Sequence, residues 1–191
     1  MEKGIDYVFK YDDEIKTVQE RFREIKYQKY WKPDFSEKTL SENQCSKLIK
    51  ENFNKKIKQI CKSNLKIGLS LSGGIDSNFL LSFFVNNINK NIHTYSIIDE
   101  DSRYNEEELI NYSVKKLKVK NTKIYLSNKN NYFDKLKTLI KYHDKPVSTI
   151  SYFLQSYIYK KMSDDNIKIC ISGNGADELF AGYYHHYVLF Y

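Results

Sequence analysis

The sequence predicts an α/β fold, a mostly parallel sheet covered by helices on both faces. Three observations carry this. Short apolar, β-branched runs alternate with stretches of helical apolar spacing; the segments between runs are long enough for right-handed crossovers; and two runs end in Ser-Gly turns that open helices.

The elements follow in order. Residues 1–35 hold short aromatic and β-branched pieces, YVFKY and KYQKYWKPDF, with Pro33 near their end, and read as two or three weak strands or an extended linker. Ser36 and Ser41 offer helix caps. From Ser41 the apolar positions Leu48, Ile49, Phe53, Ile57 and Ile60 step by three and four, predicting a helix to about Lys62. The period then changes: residues 66–72 have the character of a buried strand and 76–86 are helical. The alternation repeats with a strand at 92–98, a helix at 106–117 with Leu109, Ile110, Val114 and Leu117 on one face, and a strand at 122–126. Helices at 132–142 and 151–162, a strand at 167–172 and a helix beginning at Asp177 complete the pattern.

A chain of 191 residues is long enough for one globular domain, or one domain with a piece of another. Hydrophobic content of 41% with only two prolines argues against disorder. The net charge of +7 comes from lysines spread along the chain and mixed with acids, the pattern of a solvated surface rather than of a nucleic-acid stripe. Cys45, Cys61 and Cys170 are an odd set without CxxC spacing, so reduced thiols are expected rather than disulfides or a zinc site. No apolar run reaches the roughly eighteen residues of a membrane span, and MEKGIDYVFKYDDE lacks a signal-peptide core, so a soluble cytoplasmic protein is expected.

Ligands of parallel sheets bind at the carboxyl ends of strands, which puts residues 72–77 and 172–177 in view. In KIGLSLSGGIDSNFLLSFF a strand ends in Ser-Gly-Gly and runs into Asp-Ser at a helix start. Open backbone N–H groups, two hydroxyls and a positive helix end are expected to form an anion cradle for phosphate or pyrophosphate. The phosphate loop GxxxxGK[ST] is absent, since the chain has no Gly-Lys dipeptide, and GxGxxG is missing after this strand. Asp76 would repel phosphate unless a divalent cation sits between them, and Asp177 and Glu178 in ISGNGADELFAGYY supply the partner carboxylates. Taken singly, Ser-Gly-Gly is an ordinary turn, Asp76 a helix N-cap, and Asp177 and Glu178 first-turn acids. Their joint occurrence at two strand ends favours a site.

SGGIDS at 72–77 resembles the pyrophosphate-binding loop of the N-type ATP pyrophosphatases, and SGNGADELFAGY at 172–183 resembles the second signature of the asparagine synthetase family among them. The resemblance covers about residues 25–191 and takes in YWKP at 30–33, YNEEEL at 104–109 and DKPVST at 144–149. It implies a Rossmann-like sheet of the adenine nucleotide alpha hydrolase type. It also implies a ligase that uses ATP and Mg²⁺, adenylates the side-chain carboxylate of aspartate with release of pyrophosphate, and lets ammonia displace AMP to give asparagine. By position, Ser72, Gly73, Gly74, Asp76 and Ser77 would hold the pyrophosphate, with Asp76 and Asp177 on Mg²⁺. Leu71, Ile97, Ser172 and Gly173 fall where the family contacts the nucleoside, largely through backbone or apolar surface.

Three departures shape the expectation. Asn174 stands where the family usually has glutamate near the amino acid and ammonia, and a neutral amide can act neither as a base nor as a partner for ammonium. Position 2 is Glu2 rather than the family's processed N-terminal cysteine, so this chain is not expected to hydrolyse glutamine by itself. Residues 1–35 would be a remnant of, or linker from, a glutaminase-type domain, and 36–191 a synthetase domain incomplete at its C-terminus, because the family's domain continues and supplies a further lysine. A related amidotransferase acting on another carboxylate or a sugar in polysaccharide synthesis, a non-catalytic nucleotide-binding fragment and a tRNA-modifying ATP pyrophosphatase are the rival readings. A glutaminase subunit or a second copy is a possible partner, whereas nucleic acid and membrane are not expected.

Other residues read as structural. Adjacent helical His185 and His186 point about 100° apart, so they do not suggest a metal pair. Cys170 reads as a small buried hydrophobe in a strand, and His93 and His143 as ordinary polar residues. The tyrosines at 152–159 read as helix packing, and the terminal YYHHYVLFY is expected to pack against further residues or a partner.

Overall fold

The computed structural model describes residue 32 and residues 39–88, 91–126 and 131–190, so the expectation for residues 1–35 lies almost entirely outside them. The chain divides into two compact units at Lys47/Leu48. In the first, the Ser41 backbone N–H donates to Gln44 Oε1 at 2.8 Å and the Gln44 N–H donates back to Ser41 Oγ at 3.4 Å. This reciprocal capping box starts helix α1 (Glu42–Ile60), where the sequence placed its cap.

The second unit carries the α/β pattern: β1 (Ile67–Ser70), α2 (Ile75–Ile88), β2 (His93–Asp99), α3 (Glu107–Leu117), β3 (Lys120–Leu126), α4 (Tyr132–His143), α5 (Ile150–Asp164), β4 (Ile169–Ile171), α6 (Ala176–Phe180) and α7 (Tyr184–Phe190). The four strands form one parallel sheet in the order β3-β2-β1-β4. In register, Gly68 of β1 lies between His93 of β2 and Cys170 of β4.

Strand alternation sorts the core onto two faces. Leu69, Leu71 and Ile98 join Ile57 of α1, Leu80, Leu81, Phe83 and Phe84 of α2 and Ile110 of α3 in one buried cluster. Phe53 packs edge-on against Phe79 at 5.3 Å between ring centres, tying α1 to α2. On the other face Tyr95 packs with Ile158 and Met162 of α5, and Ile97, Ile124, Ile167 and Cys170 border them. Gly68 belongs to this face: a Cβ there would lie 3.1 Å from Met162 Cε and 3.2 Å from the Tyr95 ring. The missing side chain lets α5 settle onto the central strand.

Several boundaries differ from the sequence prediction: β3 begins two residues early at Lys120, β4 is shorter than the expected 167–172, and two further differences have a visible cause. The expected strand at 66–72 stops at Ser70, with Leu71 N still bonded to Tyr95 O at 2.8 Å, because the Ser72 N–H turns to a side chain. The helix expected from Asp177 onward is two short helices, broken where Ala181 takes a left-handed φ of 55°.

At the amino ends of the strands a cavity of about 610 Å³ is bordered by Lys66, His93, Lys120 and Asp165. Beneath it, fully buried Tyr95 donates its phenol to Asp165 Oδ2 at 2.9 Å, and Lys161 Nζ donates to Asp165 Oδ1 at 2.8 Å. The single phenolic proton is therefore committed to Asp165. His93 Nδ1, 3.0 Å from the same oxygen, must carry its own proton and donate it, leaving Nε2 to accept from Thr122 Oγ1 at 2.8 Å.

Burial, then nearby Lys120, holds the His93 imidazole below its ordinary value of 6.5, so the folded chain prefers it neutral. The unfolded chain takes up that proton first, and the stability from His93 is present above pH 6.5 and lost as pH falls through it. Urea titration is expected to give a lower unfolding midpoint at pH 5.5 than at pH 7.5, with a smaller difference in His93→Gln. An equal difference in the variant would remove His93 as the cause.

Candidate active site

The first loop is closed by its own side chains. Ser77, buried in the first turn of α2, places Oγ 3.1 Å from the Ser72 N–H and 3.1 Å from both the Ser72 and Gly74 carbonyl oxygens. Asn78 Nδ2 donates to the same two carbonyls at 3.1 and 2.8 Å. Gly74 N donates to Ser72 Oγ at 3.2 Å and Gly73 N to Glu106 Oε2 at 2.9 Å. The expectation of open N–H groups at Ser72, Gly73 and Gly74 is thus corrected, since each has a partner. The donors left for an anion are the first-turn N–H groups of α2, which a helix cannot satisfy internally.

The second loop leaves β4 beside the first because β1 and β4 pair in parallel, with Leu69 opposite Ile171. The two backbones touch. A Cβ on Gly173 would lie 2.9 Å from Asp76 Cβ and 3.1 Å from Ser77 N, so only glycine fits. Gly175 turns the chain into α6 at a φ of +94°, a conformation glycine adopts at little cost. Gly182 N donates to Asp177 O at 2.8 Å, and a Cβ on Gly182 would overlap Asp177 Oδ1, so this glycine lets the chain fold back over that carboxylate.

A cleft of about 420 Å³ lies between the loops. Of the residues singled out from sequence, Ser72, Gly74, Asp76, Ser77, Ser172, Gly173, Asn174 and Asp177 line it. Gly73, Leu71 and Ile97 do not. Gly73 lies against Leu109 and Glu106 of the α3 turn, Leu71 is buried in the first core cluster, and Ile97 packs on the opposite face of the sheet. Ser70, Gly175, Glu178 and Tyr183 complete the lining. The charge of Glu178, with burial and then Asp177 and Asp76, pushes the Tyr183 phenol above its ordinary value, so one hydroxyl senses three carboxylates.

Sequence reasoning missed Asn78 and Glu106. Asn78 had a local signal, a short amide four residues after Gly74 at a helix start. Glu106 lay inside the YNEEEL segment of the family resemblance, but nothing local pointed to its partner 33 residues away.

The donor set fits a cation that arrives with phosphate. Among the described residues no group of three or more His, Cys, Asp and Glu is arranged to hold a metal ion. Asp76 and Asp177, facing one cleft from two loops, match Mg²⁺ held by one or two carboxylates plus substrate oxygens. His185 and His186 pack against each other and Tyr183 instead, with ring centres 4.6 to 5.4 Å apart. Cys170 is half-buried in β4 rather than fully buried as expected, and that burial pushes its thiol up, away from a reactive thiolate.

Residues 48–190 match the family model of asparagine synthase. The chain belongs to the asparagine synthase family. It is 25% identical over 160 residues to asparagine synthetase [glutamine-hydrolyzing] 1 of Bacillus subtilis, covering 84% of this chain and 25% of that protein. It is 30% identical over 174 residues to putative asparagine synthetase [glutamine-hydrolyzing] 2 of Methanocaldococcus jannaschii, covering 86% and 32%. The chain therefore spans a quarter to a third of the length of these two relatives. Among solved structures, the ammonia-dependent NAD synthetase of Campylobacter jejuni aligns with a TM-score of 0.47 at 18% identity, over 76% of this chain and 62% of that one.

Gly173→Ala is expected to destabilise the fold by about 1–3 kcal/mol, the usual cost of overpacking. Gly74→Ala, whose Cβ would meet only Ser72 Oγ at 3.3 Å, should cost less. Urea titration of the two variants checks the order, and the reverse order would contradict the backbone contact.

Proposed function

We propose that this chain carries the synthetase chemistry of its family: ATP-dependent amide formation on a carboxylate, with aspartate as the leading acceptor. One observation carries the reading most directly, that Asp76 and Asp177 line a single cleft from loops whose backbones touch. In this proposal residues 36–191 form the synthetase part and residues 1–35 a remnant or linker.

An oxygen of the acceptor carboxylate attacks the α-phosphorus of ATP, the bond from that phosphorus to the bridging oxygen breaks, and pyrophosphate leaves with the electron pair. Ammonia then attacks the acyl carbon, loses a proton, and AMP departs, leaving the amide. Asp76 and Asp177 would hold Mg²⁺, which when bound neutralises the charge of the leaving pyrophosphate. The first-turn N–H groups of α2 would orient the phosphates, with Ser72 and Gly74 on the cleft wall beside them, and Ser77 holds the loop in shape. Ser172 and Gly173 would border the nucleoside, whereas Leu71 and Ile97 lie in the core and off the cleft. The protein's contribution is placement and charge compensation, which lowers the barrier without covalent chemistry.

Asn174 lines the cleft with a neutral amide, which supports a second reading within the class, an acceptor other than aspartate. Among the described residues no helix is long and apolar enough to cross a membrane, and Cys45 and Cys170 are free thiols. A cytoplasmic enzyme working on small molecules is the proposed setting.

Exchange of labelled pyrophosphate into ATP isolates the first half-reaction. With Mg²⁺ and aspartate, exchange is expected in the wild-type chain and a loss of at least about 100-fold in Asp177→Ala, in keeping with removal of an electrostatic contact to developing charge. Exchange with another carboxylate but not aspartate would move the acceptor. No exchange with any of a panel, or exchange unaffected by Asp177→Ala, would contradict the proposal.

A further inference from the structure

We infer that Glu106 is a positioning residue for the phosphate loop, bracing it from the side away from the ligand. The inference rests on the proposed reading of the cleft as a pyrophosphate site and assigns a task to a residue outside its lining.

The contact is long-range and specific. Gly73 N donates to Glu106 Oε2 at 2.9 Å across 33 residues, joining the loop after β1 to the start of α3. A carboxylate at that position would ordinarily cap its own helix. Here Glu106 makes no side-chain cap, and the Glu107 N–H goes instead to Asn105 Oδ1 at 2.9 Å. The Glu106 carboxylate is thereby free to reach the neighbouring loop. Gly73 meets it at close quarters, since a Cβ there would lie 3.1 Å from Glu106 Cβ and 3.0 Å from Leu109 Cδ1.

Direction decides between a brace and a competitor for phosphate. Ser72, Gly74, Asp76 and Ser77 line the cleft, whereas Gly73 and Glu106 do not. The Gly73 N–H therefore points toward α3, and a charged acceptor there can hold the loop without occupying the ligand's place.

The brace is itself anchored. Asn105 Nδ2 donates to Asp99 O at 2.8 Å at the end of β2, and Glu107 accepts from Lys123 Nζ at 2.7 Å and the Tyr125 hydroxyl at 3.1 Å on β3. The start of α3 is thus tied to two strands, and Glu106 transmits that fixed position to Gly73. A loop already held in shape spends less binding free energy on ordering when the ligand arrives.

Two variants separate the hydrogen bond from the charge. Glu106→Gln keeps an acceptor for Gly73; Glu106→Ala removes it. With Mg²⁺·pyrophosphate as the probe, titrated calorimetrically where circular dichroism shows each chain fully folded, Glu106→Ala is expected to bind about tenfold more weakly, as for loss of one hydrogen bond. Glu106→Gln should stay within about threefold of wild type. Amide exchange should speed up at Gly73 in Glu106→Ala alone, with Leu69 in β1 unchanged, which a general loss of structure would not produce. Wild-type affinity in Glu106→Ala overturns the inference, and tighter binding would show a carboxylate competing with phosphate. If Glu106→Ala does not fold, Glu106→Gln decides: lost binding with Gly73 still protected overturns the brace, and retained binding supports it. If wild type binds no Mg²⁺·pyrophosphate, the proposed function fails instead. Gly73 exchange then judges the brace alone, supporting it if faster in Glu106→Ala and overturning it if unchanged.

Discussion

The parallel ladder between β1 and β4 is the constraint on which the cleft depends. These strands come from opposite ends of the second unit, and β4 is only three residues long and lies at the sheet edge. Pairing Gly68 with Cys170 and Leu69 with Ile171 brings SGGIDS beside SGNGAD, and Gly173 completes the approach by having no side chain. Parallel pairing needs a covered sheet, and α1 to α3 on one face and α5 on the other cover it. The cleft is thus a consequence of the core.

The two ends of the sheet are built for different purposes. At the amino ends, the chain from Lys161 through Asp165, Tyr95 and His93 to Thr122 satisfies polar groups against one another. At the carboxyl ends, Asp76, Asp177 and Glu178 are gathered around Tyr183 with no protein cation on the lining. This acidic lining is the feature on which the proposed cation-bridged phosphate site rests.

The alternation of strands and helices was legible because each element buries one face, so the period of Leu, Ile and Phe records its neighbours. The loops were legible because glycine doublets and first-turn acids have local physical reasons. What stayed hidden was set by atoms distant in sequence. Glu106 reaches Gly73 from another crossover unit, and Ser77 closes the N–H of Ser72 that the sequence suggested was open. Side-chain direction also mattered: Leu71, just past the end of β1, and Ile97 in β2 point into the core rather than the cleft. The break at Ala181 had no signature, since alanine seldom adopts a left-handed φ. Asn174 was visible as a departure from its family, and the structure places that amide on the cleft wall.

The account stands on Asp76 and Asp177 sharing one cation-bridged phosphate site. Mapping backbone amide shifts during titration with Mg²⁺·pyrophosphate tests it most directly. The amides of Ile75 and Asp76 should move together with those of Gly173, Asn174 and Gly175, and much less when pyrophosphate is added without a divalent cation. Shifts confined to the surroundings of His93 and Lys120, or movement of one loop without the other, would contradict it.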